Sequence, residues 1–206
     1  MLLARTPRAA AYFARGFASR SARKVYWALV IGIPSPDRGW IDLPLAKQPG
    51  SGGEKMHVDL DGGSPAQTEY RIVDRAGNRA AWLELQPHTG RTHQLRVHLA
   101  AIGHPIVGDG KYGGREAFLT GSISRKMHLH ARRLRVDHPD QGRLDVSAPL
   151  PPHMLDSFAQ LGFDPADGDV DLDPPAMMPG ESRHRAAAAK ERRQARRGER
   201  RGRGRS

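Results

Sequence analysis

The stretch Gln86–Gly113, QPHTGRTHQLRVHLAAIGHPIVGDGKYG, sets polar and cationic residues at helical spacing between glycine-marked breaks. Leu95, Leu99 and Ile102 fall at the i, i+4, i+7 positions of a buried stripe, which predicts a helix. Thr89 or Thr92 is the candidate N-cap, and Gly103, followed closely by Pro105, is the stop signal. Arg91 and Arg96 then lie off the apolar stripe near the helix N-terminus, where backbone N–H groups and the positive dipole end already favour an anion. A cationic helix start works against helix stability, so function is a motive for it. A surface helix with solvated charges is the alternative reading of the same spacing.

Upstream of this stretch, two strand-like runs between Thr68 and Gln86 flank Arg75-Ala76-Gly77-Asn78, a turn chemistry that predicts a β-hairpin. Pro34 to Gly39 and Gln48 to Lys55 read as loops, and Lys24 to Ile31 as a strand. Thr6 as N-cap and Pro7 at the first helical position start a helix whose Tyr12, Phe13 and Phe17 are candidates for the core. Downstream, Met127 to Val136 and Leu144 to Val146 give further strands, and His153 to Leu161 a short helix behind Pro151-Pro152. The expected class is α+β with a mostly antiparallel sheet.

A chain of 206 residues is expected to form one domain with a core of useful size. Cysteine is absent, which excludes disulfides and thiolate chemistry and suits the reducing cytoplasm. No apolar run approaches the roughly eighteen residues that a membrane helix needs. Composition divides the chain into a domain over 1–163, an acidic and Pro-rich linker over 164–181, and an arginine-rich tail over 182–206 expected to be disordered alone. The tail carries +9 of the total +11, so the basic character belongs mainly to residues such as Arg193 and Arg197, which are expected to bind RNA phosphates without sequence preference.

The wording of the central stretch is more specific than its spacing. Thr89-Gly90-Arg91-Thr92-His93-Gln94-Leu95-Arg96-Val97-His98, then Gly103-His104-Pro105-Ile106-Val107-Gly108-Asp109 and Tyr112-Gly113, resembles the signature of RluA-type pseudouridine synthases. The resemblance continues through Lys24-Val25-Tyr26-Trp27-Ala28-Leu29-Val30, Gly39-Trp40-Ile41-Asp42-Leu43-Pro44-Leu45, Ala66-Gln67-Thr68-Glu69-Tyr70 and Leu129-His130-Ala131, and so covers about three quarters of the chain. It also favours a domain helix after Thr6 over the transit peptide suggested by Arg5, Arg8, Arg15, Arg20 and Arg23, all of which precede the first acidic residue, Asp37.

The resemblance implies isomerisation of uridine to pseudouridine in RNA, ribosomal RNA first, by a monomer needing no cofactor and no metal. It implies that Tyr26 is the active-site tyrosine, that Arg96 is the arginine pairing with the catalytic Asp, and that Arg91, Thr92, His93 and Gln94 face RNA. The catalytic Asp of such enzymes lies in a His-Arg-Leu-Asp-x-x-Thr-Ser-Gly motif just ahead of an apolar strand. Here Met1-Leu2-Leu3-Ala4-Arg5-Thr6 matches that strand, so the Asp is expected to be missing. Arg143-Leu144-Asp145 imitates three letters of the motif but lacks its flanks. The expected function is an RNA pseudouridine synthase impaired as written; the alternative is a non-catalytic RNA-binding protein derived from the same fold. His128, His130 and His138 lack a third ligand at a metal-like spacing, and Gly108, Gly110, Gly113 and Gly114 lack the Lys-Ser/Thr of a phosphate loop.

Overall fold

The computed structural model describes residues 2–19, 21–49, 55–140 and 142–168. Thr6 caps the first helix, α1 (Pro7–Ala18), its hydroxyl accepting the Ala9 N–H at 3.2 Å, with Pro7 at the start. Only Phe13 of this helix is buried; it packs with Ala22 and Val136, whereas Phe17 stays exposed.

Among the described residues eight strands follow: β1 (Arg23–Ile31), β2 (Arg38–Asp42), β3 (Leu45–Lys47), β4 (Met56–Val58), β5 (Gln67–Ala76), β6 (Ala80–Pro87), β7 (Leu129–Asp137) and β8 (Arg143–Ser147). Six make one sheet in the order β2-β5-β6-β1-β7-β8, and every neighbouring pair in it is antiparallel. The remaining two, β3 and β4, pair separately. The expected hairpin turn is present: Gly77 takes φ +57, a conformation open to glycine, and the Arg79 N–H closes on Ala76 O. The expected loop over Pro34–Gly39 gives way to β2 from Arg38, because that short run completes the sheet edge on β5.

Two further helices, α2 (Gln94–Ala101) and α4 (Pro152–Leu161), cover opposite faces of the large sheet, with a single turn, α3 (Gly110–Gly113), between them in sequence. One face sets Trp27, Leu29 and Trp82 against Met154 and Phe158 of α4. The other sets Ala28, Val30, Leu83 and Leu85 against Leu95 and Leu99 of α2. Val97 and His98 are buried as well, since α2 also packs against the β3–β4 pair through Val97 and Leu45. A single apolar stripe therefore under-describes this helix.

Ordered packing runs past the expected domain boundary at 163. Phe163 joins the core, and the 3-10 turn Pro165–Gly168 sets Gly168 so tightly on Trp27 and Trp82 that an added Cβ would lie 2.4 Å from each ring. The start of the acidic segment thus seals the tryptophan pair. The arginine tail, with Arg193 and Arg197, lies outside the described residues.

Candidate active site

The loop that leads from β6 into α2 is held by one side chain. Gln94 is buried; its Oε1 accepts the Thr89 hydroxyl at 2.8 Å and the Arg91 N–H at 3.0 Å, while its Nε2 donates to Gln67 O and Thr68 Oγ1. Thr89 in turn accepts the Gln67 N–H at 2.9 Å. Neither Thr89 nor Thr92 caps the helix, contrary to expectation. His93 occupies the N-cap in the left-handed region, at φ 53, and makes no capping bond. Every hydrogen-bonding group of Gln94 is consumed inside the protein, so the residue shapes the loop instead of facing outward as expected. Arg91 and Thr92 are exposed, and Arg91 Nε donates to Pro65 O at 3.2 Å.

The same network reaches His98, which is fully buried between Leu43 O and Thr68 Oγ1 at 3.0 and 2.9 Å. A carbonyl can only accept, so Nε2 carries the proton and Nδ1 receives the Thr68 hydroxyl. Burial lowers the His98 pKa to about 4, and the imidazole is neutral at physiological pH.

Arg96 emerges from α2 into a second cluster. Its guanidinium makes a forked ion pair with Asp109, at 2.8 and 2.7 Å, and lies 4.8 Å from the centre of the Tyr112 ring. Asp109 is almost wholly buried and also accepts the Tyr112 N–H, while the Tyr112 hydroxyl meets His93 Nδ1 at 2.8 Å and accepts the Met56 N–H at 3.1 Å. Hydrogen bonding by Asp109 raises the Arg96 pKa further, so its charge is fixed. Asp109 and Tyr112 stand within the quoted motif, but neither its spacing nor the family resemblance assigns them a role. The signal available in the sequence is an Asp and a Tyr beside glycines, downstream of a helix that carries Arg96 in its first turn.

Tyr26 lies on β1, packed against the core cluster that contains Leu95, the residue before Arg96. It lines a mainly apolar cavity of about 600 Å³ between α1 and the β7–β8 side of the sheet, with Leu2, Phe13, Lys24 and Leu144 among its walls. Burial raises the Tyr26 pKa, which keeps the phenol protonated. Its surface suits stacking on a flat, neutral ring.

A family model described as RNA pseudouridylate synthase matches residues 1–101. The "Dual-specificity RNA pseudouridine synthase RluA" of Escherichia coli (strain K12) is 44% identical over 128 residues, covering 62% of this chain and 57% of that protein. An "Uncharacterized RNA pseudouridine synthase" of Chloroflexus aurantiacus is 46% identical over 144 residues, 69% of this chain and 43% of the relative. The solved structure of "Human RNA Pseudouridylate Synthase Domain Containing 1" aligns at TM-score 0.61 and 30% identity, over 78% of this chain and 74% of that one. That of "Human RNA Pseudouridylate Synthase Domain Containing 4" aligns at 0.63 and 28%, over 76% and 69%. The chain belongs to the RluA-type pseudouridine synthase family. It spans little more than half the length of the RluA relatives it matches.

Within this synthase fold, the mimic motif at Asp145 has a local explanation. Asp145 lies on the edge strand β8, where two hydrogen bonds from Arg133 and another from Arg135 pull its pKa down to about 2. His128 is likewise internal: Ser157 Oγ lies 2.8 Å from one ring nitrogen and Val107 O 3.3 Å from the other, and burial lowers its pKa. His130 contacts Ala148 O, and His138 accepts the Asp140 N–H. No helix among the described residues is long and apolar enough to cross a membrane.

Proposed function

We propose that the site around Tyr26 converts uridine to pseudouridine in RNA, with ribosomal RNA as the expected substrate class and a cytoplasmic monomer as the working form. The observation that carries this reading is Tyr26 itself, a protonated phenol on the wall of an apolar cavity that Lys24 also lines. In the reaction the bond from uracil N1 to C1′ of the ribose breaks and one from C5 to C1′ forms. The C5 proton leaves and N1 gains one, so the product is an isomer. A carboxylate must meet charge or bond order at C1′, and an arginine keeps it ionised.

No His-Arg-Leu-Asp motif occurs in these 206 residues. The chain as given is therefore expected to bind and orient a uridine but to turn it over poorly. A second reading, a non-catalytic RNA-binding protein, is favoured by one observation: both forks of Arg96 are already taken by Asp109. Arg91, Thr92 and His93 serve RNA contact in either case, with the tail arginines Arg193 and Arg197 as phosphate anchors.

Placing a His-Arg-Leu-Asp-x-x-Thr-Ser-Gly segment in frame ahead of Met1 tests the first reading. Pseudouridine formation on structured RNA is expected, and Tyr26→Ala is expected to slow it by at least about a hundredfold while the unfolding midpoint holds. RNA binding without any pseudouridine from the extended protein would favour the second reading.

A further inference from the structure

A second cleft, of about 370 Å³, opens where β1 begins, beside the ends of β6, β7 and β8, and is lined by Arg23, Lys24, Gln86, His88, Arg135 and Arg143. Its one acidic wall residue, Asp137, faces Arg143 at 3.6 Å, and Arg135 is held by Asp145 at 2.9 Å. Lys24 differs from these arginines. Among the described residues no carboxylate pairs with it, and it is half-buried, so its ammonium has lost water without gaining an anion. Burial lowers its pKa accordingly.

Lys24 also lies on the walls of both the cleft and the Tyr26 cavity, two residues before Tyr26 on the same face of β1. Its Nζ comes within 3.8 Å of where a Cβ on Gly90 would stand, so it abuts the loop that ends in Arg91. A desolvated cation at the junction of a basic cleft and an apolar cavity fits a polyanion whose charge runs in one and whose base enters the other. We infer that this cleft is a phosphate subsite, in which Lys24 binds an RNA phosphodiester adjoining the nucleotide whose base occupies the Tyr26 cavity. The inference rests on the RNA-substrate reading above and assigns the backbone path on one side of that site.

The test uses the full chain and a uridine-containing single-stranded RNA, with affinity measured across a salt series. Lys24→Gln is expected to weaken binding about tenfold at low salt and to reduce the log–log salt slope by about 0.7, the loss of one phosphate contact. Lys24→Arg is expected to restore both, because it returns the charge. Bound RNA is also expected to protect Lys24 from acylation, read by peptide mass spectrometry; a merely structural lysine would label equally with and without RNA. Binding by the unaltered chain with no change of slope in Lys24→Gln, or equal labelling of Lys24, overturns the phosphate subsite alone. No RNA binding by the unaltered chain removes the RNA-substrate reading itself, and the subsite with it.

Discussion

Asp109→Ala is expected to destabilise the protein by about 3 kcal/mol, at the lower end of the cost of breaking a buried ion pair. The Asp109 side chain is 1% exposed and that of Arg96 16%, so removing the carboxylate leaves a guanidinium largely cut off from water and without its charge partner. The same change deletes the acceptor for the Tyr112 N–H and loosens the ring that Arg96 overlies and His93 bonds. Asp109→Asn keeps a hydrogen-bond acceptor and loses the charge, so an intermediate cost is expected. Urea denaturation at neutral pH measures both. A loss within about 0.5 kcal/mol for Asp109→Ala, the size of an ordinary surface change, would mean that the pair is solvated and does not fix Arg96.

The second large effect is one of pH and centres on His98. Its ordinary pKa of 6.5 is lowered by burial to about 4 in the folded protein, so the unfolded chain binds a proton that the folded chain refuses. The stabilising contribution is complete above pH 6.5 and is lost as pH falls toward 4. At one proton it amounts to roughly 3 kcal/mol. The structural cause is specific: a second proton on Nδ1 would face Thr68 Oγ1, whose hydroxyl points at that nitrogen and which already accepts from Gln94. Burial lowers the pKa of His128 in the same direction, so the isolating measurement is the difference between the parent and His98→Gln. Stability curves over this window are expected to converge by about one proton per molecule as pH falls. Parallel curves would show that His98 is not held neutral by its surroundings.

Much of the architecture is legible in local signals. Thr6-Pro7 starts α1 as read, Gly77 closes the β5–β6 hairpin, and Gly103 at φ +90 ends the region of α2. What escapes is non-local. The β2, β3 and β4 strands are five residues or fewer, too short to show a period, and β2 pairs across the whole β3–β4 region with β5, a partner that no local signal names. Thr89 does not cap α2 because it has a better partner in Gln94, two of whose four bonds reach back to Gln67 and Thr68. No periodicity reports such a clamp.

The candidate site divides in the same way. Tyr26 and Arg96 are visible because motif residues mark them; Tyr26 packs on the core cluster that holds Leu95, and Arg96 is bound to Asp109. Asp109 as the partner of Arg96, and Lys24 as a half-buried cation that no carboxylate among the described residues pairs with, become visible only when a glycine-rich corner and a strand end are folded against the helix.

We propose that a synthase site is assembled around Tyr26 and that its nucleophilic carboxylate is not among these 206 residues. The most direct measurement is pseudouridine formed per protein molecule when the purified 206-residue chain, cleared of endogenous synthases, is incubated with structured RNA beside the form extended by the His-Arg-Leu-Asp-x-x-Thr-Ser-Gly segment. Conversion by the extended form is expected, and none above background by the shorter one. Turnover by the shorter chain, lost on Asp145→Ala or Asp109→Ala, would contradict it by naming a carboxylate already present.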